Sequence, residues 1–245
     1  MERAEKIVFM IVIVANRWDQ TPRSVASHWA PHAVAVLTAQ DLSVAGWHQR
    51  LSASDGGTAV AELKPVPQKE ITGVLTLLPC IFEEELVDIA PQDRGYVAAE
   101  MTAFLLVWLS RLRCPVLNRP TPTCLSGPYW RREKWVCVAA QAGIPAEPVR
   151  RHATAAGCAA EGETLPVATT VTVVGNRVFG ADEPSQQRQA LRLARLAGVE
   201  LLAVHFSSAE RGAHFVSADA FPNISDDRVA DAVLEYLRHG PTRCA

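Results

Sequence analysis

No CxxC pair occurs among the six cysteines of this 245-residue chain, Cys80, Cys114, Cys124, Cys137, Cys158 and Cys244. Their spacing suits neither a zinc site nor a disulfide framework, and reduced thiols point to the cytoplasm. No apolar run approaches the roughly 20 residues of a spanning helix, so no membrane partner is expected. The run IVFMIVIVA at 7–15 is short, ends in NRWDQ and carries no small-residue cleavage pattern, which argues against a secretory signal. Long basic stretches are missing as well. RLR, RREK and VRRHA are brief, the formal net charge is −2, and no nucleic-acid partner is implied.

What is present is apolar sequence, 49% of the chain, enough for one large or two small domains with their own cores. The β-branched run at 7–15 reads as a strand buried on both faces of a parallel sheet. AVAVLTAQDL (33–42) is a second β-rich stretch, SASDGGTAVAEL a hairpin or edge strands, and ITGVLTLLP (71–79) another buried strand. From Asp93 to Leu112, Val97, Met101, Phe104, Leu105, Trp108 and Leu112 recur at helical spacing. This alternation predicts an α/β domain over 1–118 with an open, mostly parallel sheet. A Pro-rich link and a helix with Trp135, Val138 and Ala139 on its apolar face follow, over 119–151, with Gly143 past the helix end. The remainder, 152–245, reads as an α+β lobe. It has a β-hairpin at Gly175-Asn176, helices over 185–197 and 225–239 with Ser225 as N-cap of the second, and an antiparallel sheet over 167–221. RRHATAAGCAAEGETLP shows little periodicity.

Candidate ligand-binding residues follow from position and chemistry. Asn118 and Arg119 close a strand, where open α/β sheets bind ligands. Lys134 opens a helix and could meet a phosphate, or stand solvated in the first turn. Arg131, Arg132, Arg150 and Arg151 read either as a carboxylate or phosphate clamp or as a solvated basic face. Asp182 and Glu183 read as turn carboxylates. His205, His214 and Asp219 come from neighbouring strands and would suit a transition metal if they share a face; otherwise His205 is a hydrogen-bonded core histidine. The six tryptophans read as core or interface anchors. HFSS and CLSG match no nucleophile elbow.

Four stretches together resemble the ATP-grasp superfamily, especially carboxylate–amine ligases related to ribosomal-protein glutamate ligase. They are PVLNRP (115–120), REKWVCVAAQAGIPAEP (132–148), VTVVGNRVFGA (171–181) and LARLAGVELLAVHFSSAERGAHFVSADAFPN (193–223). The resemblance implies a nucleotide site with ATP and magnesium, and Asn118, Arg119, Lys134 and Asp219 as cofactor-binding residues. It also marks departures. His205 stands at the family's strand Asp, Ser217 and Asp219 at its Glu–x–Asn, and Thr170 at its Arg. Between GIPAEP and VTVVG the Lys and the Gly-rich flap of the nucleotide lid are missing. Asp219, helped by Ser217 or Asp226, leaves magnesium a single strand-borne carboxylate. Three expectations therefore stand together. One is a degenerate, non-catalytic scaffold or partner subunit in a biosynthetic or peptide- or cofactor-maturation pathway. It would be a homodimer or bound to a protein partner, and could hold a small carboxylate or peptide. The second is an active carboxylate–amine ligase with an atypical site, and the third a small-molecule or metal-binding protein on the same fold.

Overall fold

A computed structural model describes residues 10–43, 47–49, 57–61, 64–154, 157–161 and 165–240. In chain order the elements are β1 (Met10–Val14), α1 (Thr21–His28), β2 (Ala33–Leu37), α2 (Ala39–Ser43), β3 (His48–Gln49), β4 (Gly57–Ala61), β5 (Lys64–Pro67), β6 (Ile71–Thr76), α3 (Arg94–Arg111) and β7 (Val116–Leu117). They continue as α4 (Arg132–Gln141), β8 (Arg150–Thr154), β9 (Gly157–Glu161), β10 (Thr169–Val174), β11 (Arg177–Phe179), α5 (Pro184–Ala197), β12 (Leu201–Phe206), β13 (Phe215–Asp219) and α6 (Asp227–His239). Two compact units result, residues 1–127 with 223–245, and residues 128–222.

The first unit is built on a parallel sheet in the order β2-β1-β6-β7. Ile11 to Val14 are all buried, as expected for a central strand covered on both faces. Helix α3 buries Ala98, Met101, Leu105, Trp108 and Leu109, one stripe at helical spacing. These side chains join Val12, Val14, Leu37 and Val74 in one core. Strands β3, β4 and β5 form a small antiparallel sheet, so edge strands do follow β2. Gly57 opens β4, while Gly56 and the turn before it lie outside the described residues.

Helix α6 belongs to this unit. It buries Val229, Ala230, Ala232, Val233 and Leu237, and it packs on β6. Gly73 permits the approach: a Cβ there would lie 2.6 Å from the Leu237 carbonyl oxygen. The helix that the sequence reading assigned to the C-terminal lobe therefore covers the N-terminal sheet. Its N-cap is Asp226 rather than Ser225, with the Asp226 carboxylate accepting from the Arg228 and Val229 N–H groups. Ser225 is instead held by Asn223 Oδ1, at 2.9 Å from its N–H and 2.6 Å from its hydroxyl. The Asn223 side chain and the Ser225 backbone N–H form an Asx turn, and the cap falls one residue along.

The second unit carries an antiparallel sheet in the order β11-β10-β12-β13. The β10–β11 hairpin turns at Gly175-Asn176, with Gly175 at φ 59°, as the Asn-Gly-type turn signal predicts. Val171, Val173, Leu202, Val204 and Phe206 point to one face and pack with Trp135, Val138, Ala139, Ala190 and Leu193 of α4 and α5. Glu183 caps α5 by accepting the Ser185 N–H, and hydrogen bonds from the Ser185 side chain and then its backbone pull the Glu183 carboxyl below the usual range. Among the described residues, only β8 and β9 stand between α4 and β10, paired as an antiparallel hairpin. Residues 150–154 and 157–161 of the weakly periodic segment are thus paired strands, and 155–156 and 162–164 lie outside the described residues.

Candidate active site

Strand pairing sets the site in the second unit. His205 of β12 is opposite Thr170 of β10 and Ser217 of β13, and Ala203 is opposite Thr172 and Asp219. Residues two apart on a strand share a face. Thr170, Thr172, His205, Ser217 and Asp219 therefore line the sheet face turned away from the α4–α5 core. His205 Nδ1 is 2.9 Å from Thr170 Oγ1. Burial lowers the histidine's pKa, with the Asp219 charge partly opposing, so the imidazole is neutral near pH 7. Asp219 closes β13, and its Oδ1 accepts the Phe221 N–H at 3.0 Å. At this strand end a cavity of about 240 Å³ is lined by Pro128, Tyr129, Trp130, Trp135, Ala218, Asp219, Ala220 and Phe221. Lys134 is exposed, with its ammonium 5.3 Å from the centre of the Trp130 ring.

The other predicted residues are placed less openly. His214 lies beyond a bulge in the β12–β13 pairing, and its Nδ1 is 3.2 Å from Glu147 Oε1. It does not join His205 and Asp219. Among the described residues no group of three His, Cys, Asp or Glu is arranged to hold a metal ion. The proposed His205–His214–Asp219 centre is thus not assembled. In the first unit, Arg119 donates to the carbonyls of Leu109, Leu112 and Cys114 at 2.7 to 3.2 Å. These are carbonyls at and just past the end of α3, so its guanidinium works as a helix-end clamp. Asn118 is 2% exposed and lies behind the 121–127 loop, where a Cβ on Gly127 would come within 2.9 Å of its own. Arg131 is exposed and Arg132 half-buried, and neither lines the cavity. The side chains of Arg150 and Arg151 lie outside the described residues. Cys80, Cys114, Cys124 and Cys137 are free thiols, and burial pushes Cys114 up to about 11. No described helix is long and apolar enough to cross a membrane.

No protein-family model matches the sequence, and no curated protein is similar to it in sequence. Solved structures are similar in fold. The macrocyclase MdnC of Microcystis aeruginosa, bound with precursor peptide MdnA, superposes with a TM-score of 0.74 at 12% identity, over 94% of this chain and 99% of that one. A RiPP-associated ATP-grasp ligase of Chryseobacterium gregarium, in complex with ADP and a leader and core peptide, gives 0.65 at 11% identity, over 93% and 96%. The chain has the ATP-grasp fold. A RimK domain ATP-grasp protein of Sphaerobacter thermophilus aligns over 93% of this chain and 99% of its own with a TM-score of 0.52.

An ATP-grasp fold implies a magnesium nucleotide, and the described residues on the polar face of the second unit do not fit one. Magnesium takes near-octahedral oxygen ligands, usually one or two carboxylates with phosphate oxygens. The polar face offers one carboxylate, which already holds the Phe221 N–H, beside a neutral imidazole better matched to softer metals. The cavity is smaller than the roughly 300 Å³ at which pockets for drug-sized ligands begin.

Two features of this chain escaped sequence reasoning. The aromatic wall of the cavity did, because Trp130 precedes α4 while Trp135 lies within it; no single helical period joins them. Glu85 did, because EEEL reads as a solvated acidic run. In the first unit it is 2% exposed; Oε2 accepts the Arg17 N–H at 3.3 Å, Oε1 has no partner among the described residues, and burial raises its pKa. A buried carboxylate inside a charged run has no periodic signature.

Proposed function

We propose that this chain is an ATP-grasp-fold protein that handles a peptide without carrying out ATP-driven ligation itself, acting as a scaffold or partner subunit in peptide or cofactor maturation. One observation carries the reading. Where metal ligands are needed, the β12–β13 face supplies Ser217, neutral His205 and the single carboxylate of Asp219. Acyl-phosphate chemistry needs its charge neutralised and its groups held in line; each lost contact in a closed site costs about 3 kcal/mol of barrier. The similar structures bound with precursor peptides support the peptide half. A protein partner or a second copy of the chain would then supply what this site lacks.

Calorimetry with ATP and magnesium tests this directly. The expected result is no magnesium-dependent heat at millimolar nucleotide, and no ADP when a carboxylate and an amine are added. Magnesium-dependent ATP binding lost in Asp219→Asn, together with ADP formation, would establish the ligase instead. That second reading is favoured by one observation: Asp219 stands on the cavity wall formed in part by Trp130, the ring that carries Lys134.

A further inference from the structure

The cavity at the end of β13 has a chemistry of its own. Four of its walls are aromatic: Tyr129, Trp130, Trp135 and Phe221. Tyr129 and Phe221 lie nearly parallel, 27° apart with centroids 6.2 Å apart, and Trp130 and Trp135 are tilted against each other at 4.8 Å. Among the described residues, the one charged residue lining it is Asp219. Arg131, Arg132 and Lys134 belong to the same stretch of chain, yet none of them lines the cavity. Lys134 instead rests on the Trp130 ring, which shows that this ring accepts a cation on its face.

Aromatic faces present negative charge from the ring quadrupole, and a carboxylate adds a full one. An anionic group would meet both unfavourably, and a neutral apolar group would strand the Asp219 carboxylate against it. At about 240 Å³ the space suits one long side chain rather than a nucleotide or a folded segment. Tyr129 is 70% exposed, so the aromatic wall stands open to an incoming chain.

We infer that this cavity binds a cationic side chain of a peptide, an ammonium or guanidinium, with Asp219 as its counter-charge and Tyr129, Trp130 and Phe221 around its stem. The peptide origin of that side chain rests on the function proposed above; the selectivity for positive charge rests on the cavity alone. No nucleotide is involved, so the two ideas fail separately.

The test titrates the whole protein, at low ionic strength, with Nα-acetyl-lysine amide and Nα-acetyl-arginine amide, following tryptophan fluorescence and calorimetry. Nα-acetyl-norleucine amide and Nα-acetyl-glutamate amide serve as neutral and anionic controls. At least one cationic probe is expected to bind about tenfold more tightly than norleucine and to perturb the tryptophan emission, with no binding of glutamate. Asp219→Asn, which keeps an oxygen for the Phe221 N–H, should erase that preference. Tyr129→Ala, on the exposed wall where folding is not at stake, should weaken the cationic probe several-fold. Equal binding of norleucine, preference for glutamate, or an unchanged preference in Asp219→Asn would each overturn the inference. Calorimetric binding of magnesium ATP would count against the proposed function and leave this one standing.

Discussion

His205 shows how one side chain reports on its surroundings. Burial disfavours the imidazolium, so the folded protein holds a pKa below the ordinary 6.5 while the unfolded chain does not. Above that value neither state carries the proton. As pH falls below it, the unfolded state binds a proton that the folded state resists, and stability drops until the folded pKa is passed. Thermal melts between pH 8 and 5 should therefore show a loss on acidification that is smaller in His205→Asn, which retains a partner for Thr170 Oγ1. A melting profile with equal slopes in the two proteins would mean that His205 is solvated. The place of Asp219 at the end of its strand was legible at this scale because Pro222 and the acidic residues after it end the strand. The role of Arg119 was not: the sequence shows an arginine at a strand end, and only the chain path returns it to the carbonyls of Leu109, Leu112 and Cys114.

Among the elements, β6 and α6 approach closely at Gly73. A methyl group at position 73 would collide with the Leu237 backbone, which cannot rotate aside as a side chain end can. Gly73→Ala should destabilise the protein by about 1–3 kcal/mol, read as a lower denaturation midpoint with the same slope. An unchanged midpoint would show that α6 can slide along the sheet. This contact also marks where sequence reading stops. The period of Val229, Ala232, Val233 and Leu237 says that α6 has an apolar face, and nothing in it says which sheet that face meets. Strands β1 and β6 were legible because β-branched runs have few alternatives. The β8–β9 hairpin was hidden because RRHAT and GCAAE give no alternation of apolar and polar side chains; its order rests on backbone pairing. The antiparallel sheet was legible through VTVVGNRVF, where turn and strand signals agree.

For the molecule as a whole, the ATP-grasp fold is kept at 11–12% identity to the similar structures. Core faces need only apolar side chains of about the right volume, whereas a metal site needs particular atoms. Fold and site can therefore drift apart. The first unit is also discontinuous, needing residues from both sides of the second. A chain stopped after Pro222 should lose amide protection in β1 and β6 while keeping it in β10 and β12, by hydrogen exchange. Retained protection in β1 would show that α6 is dispensable there.

That discontinuity reverses the usual order of assembly during synthesis, in which the segment made first folds first. Strands β1, β2, β6 and β7 leave the ribosome early, yet one face of β6 stays bare until residues 227–239 have been translated. The 128–222 unit has all its strands before then. The half of the protein made first is thus completed last, and a nascent chain paused within the second unit would present the uncovered face of β6, with its Gly73 notch, to any holding chaperone.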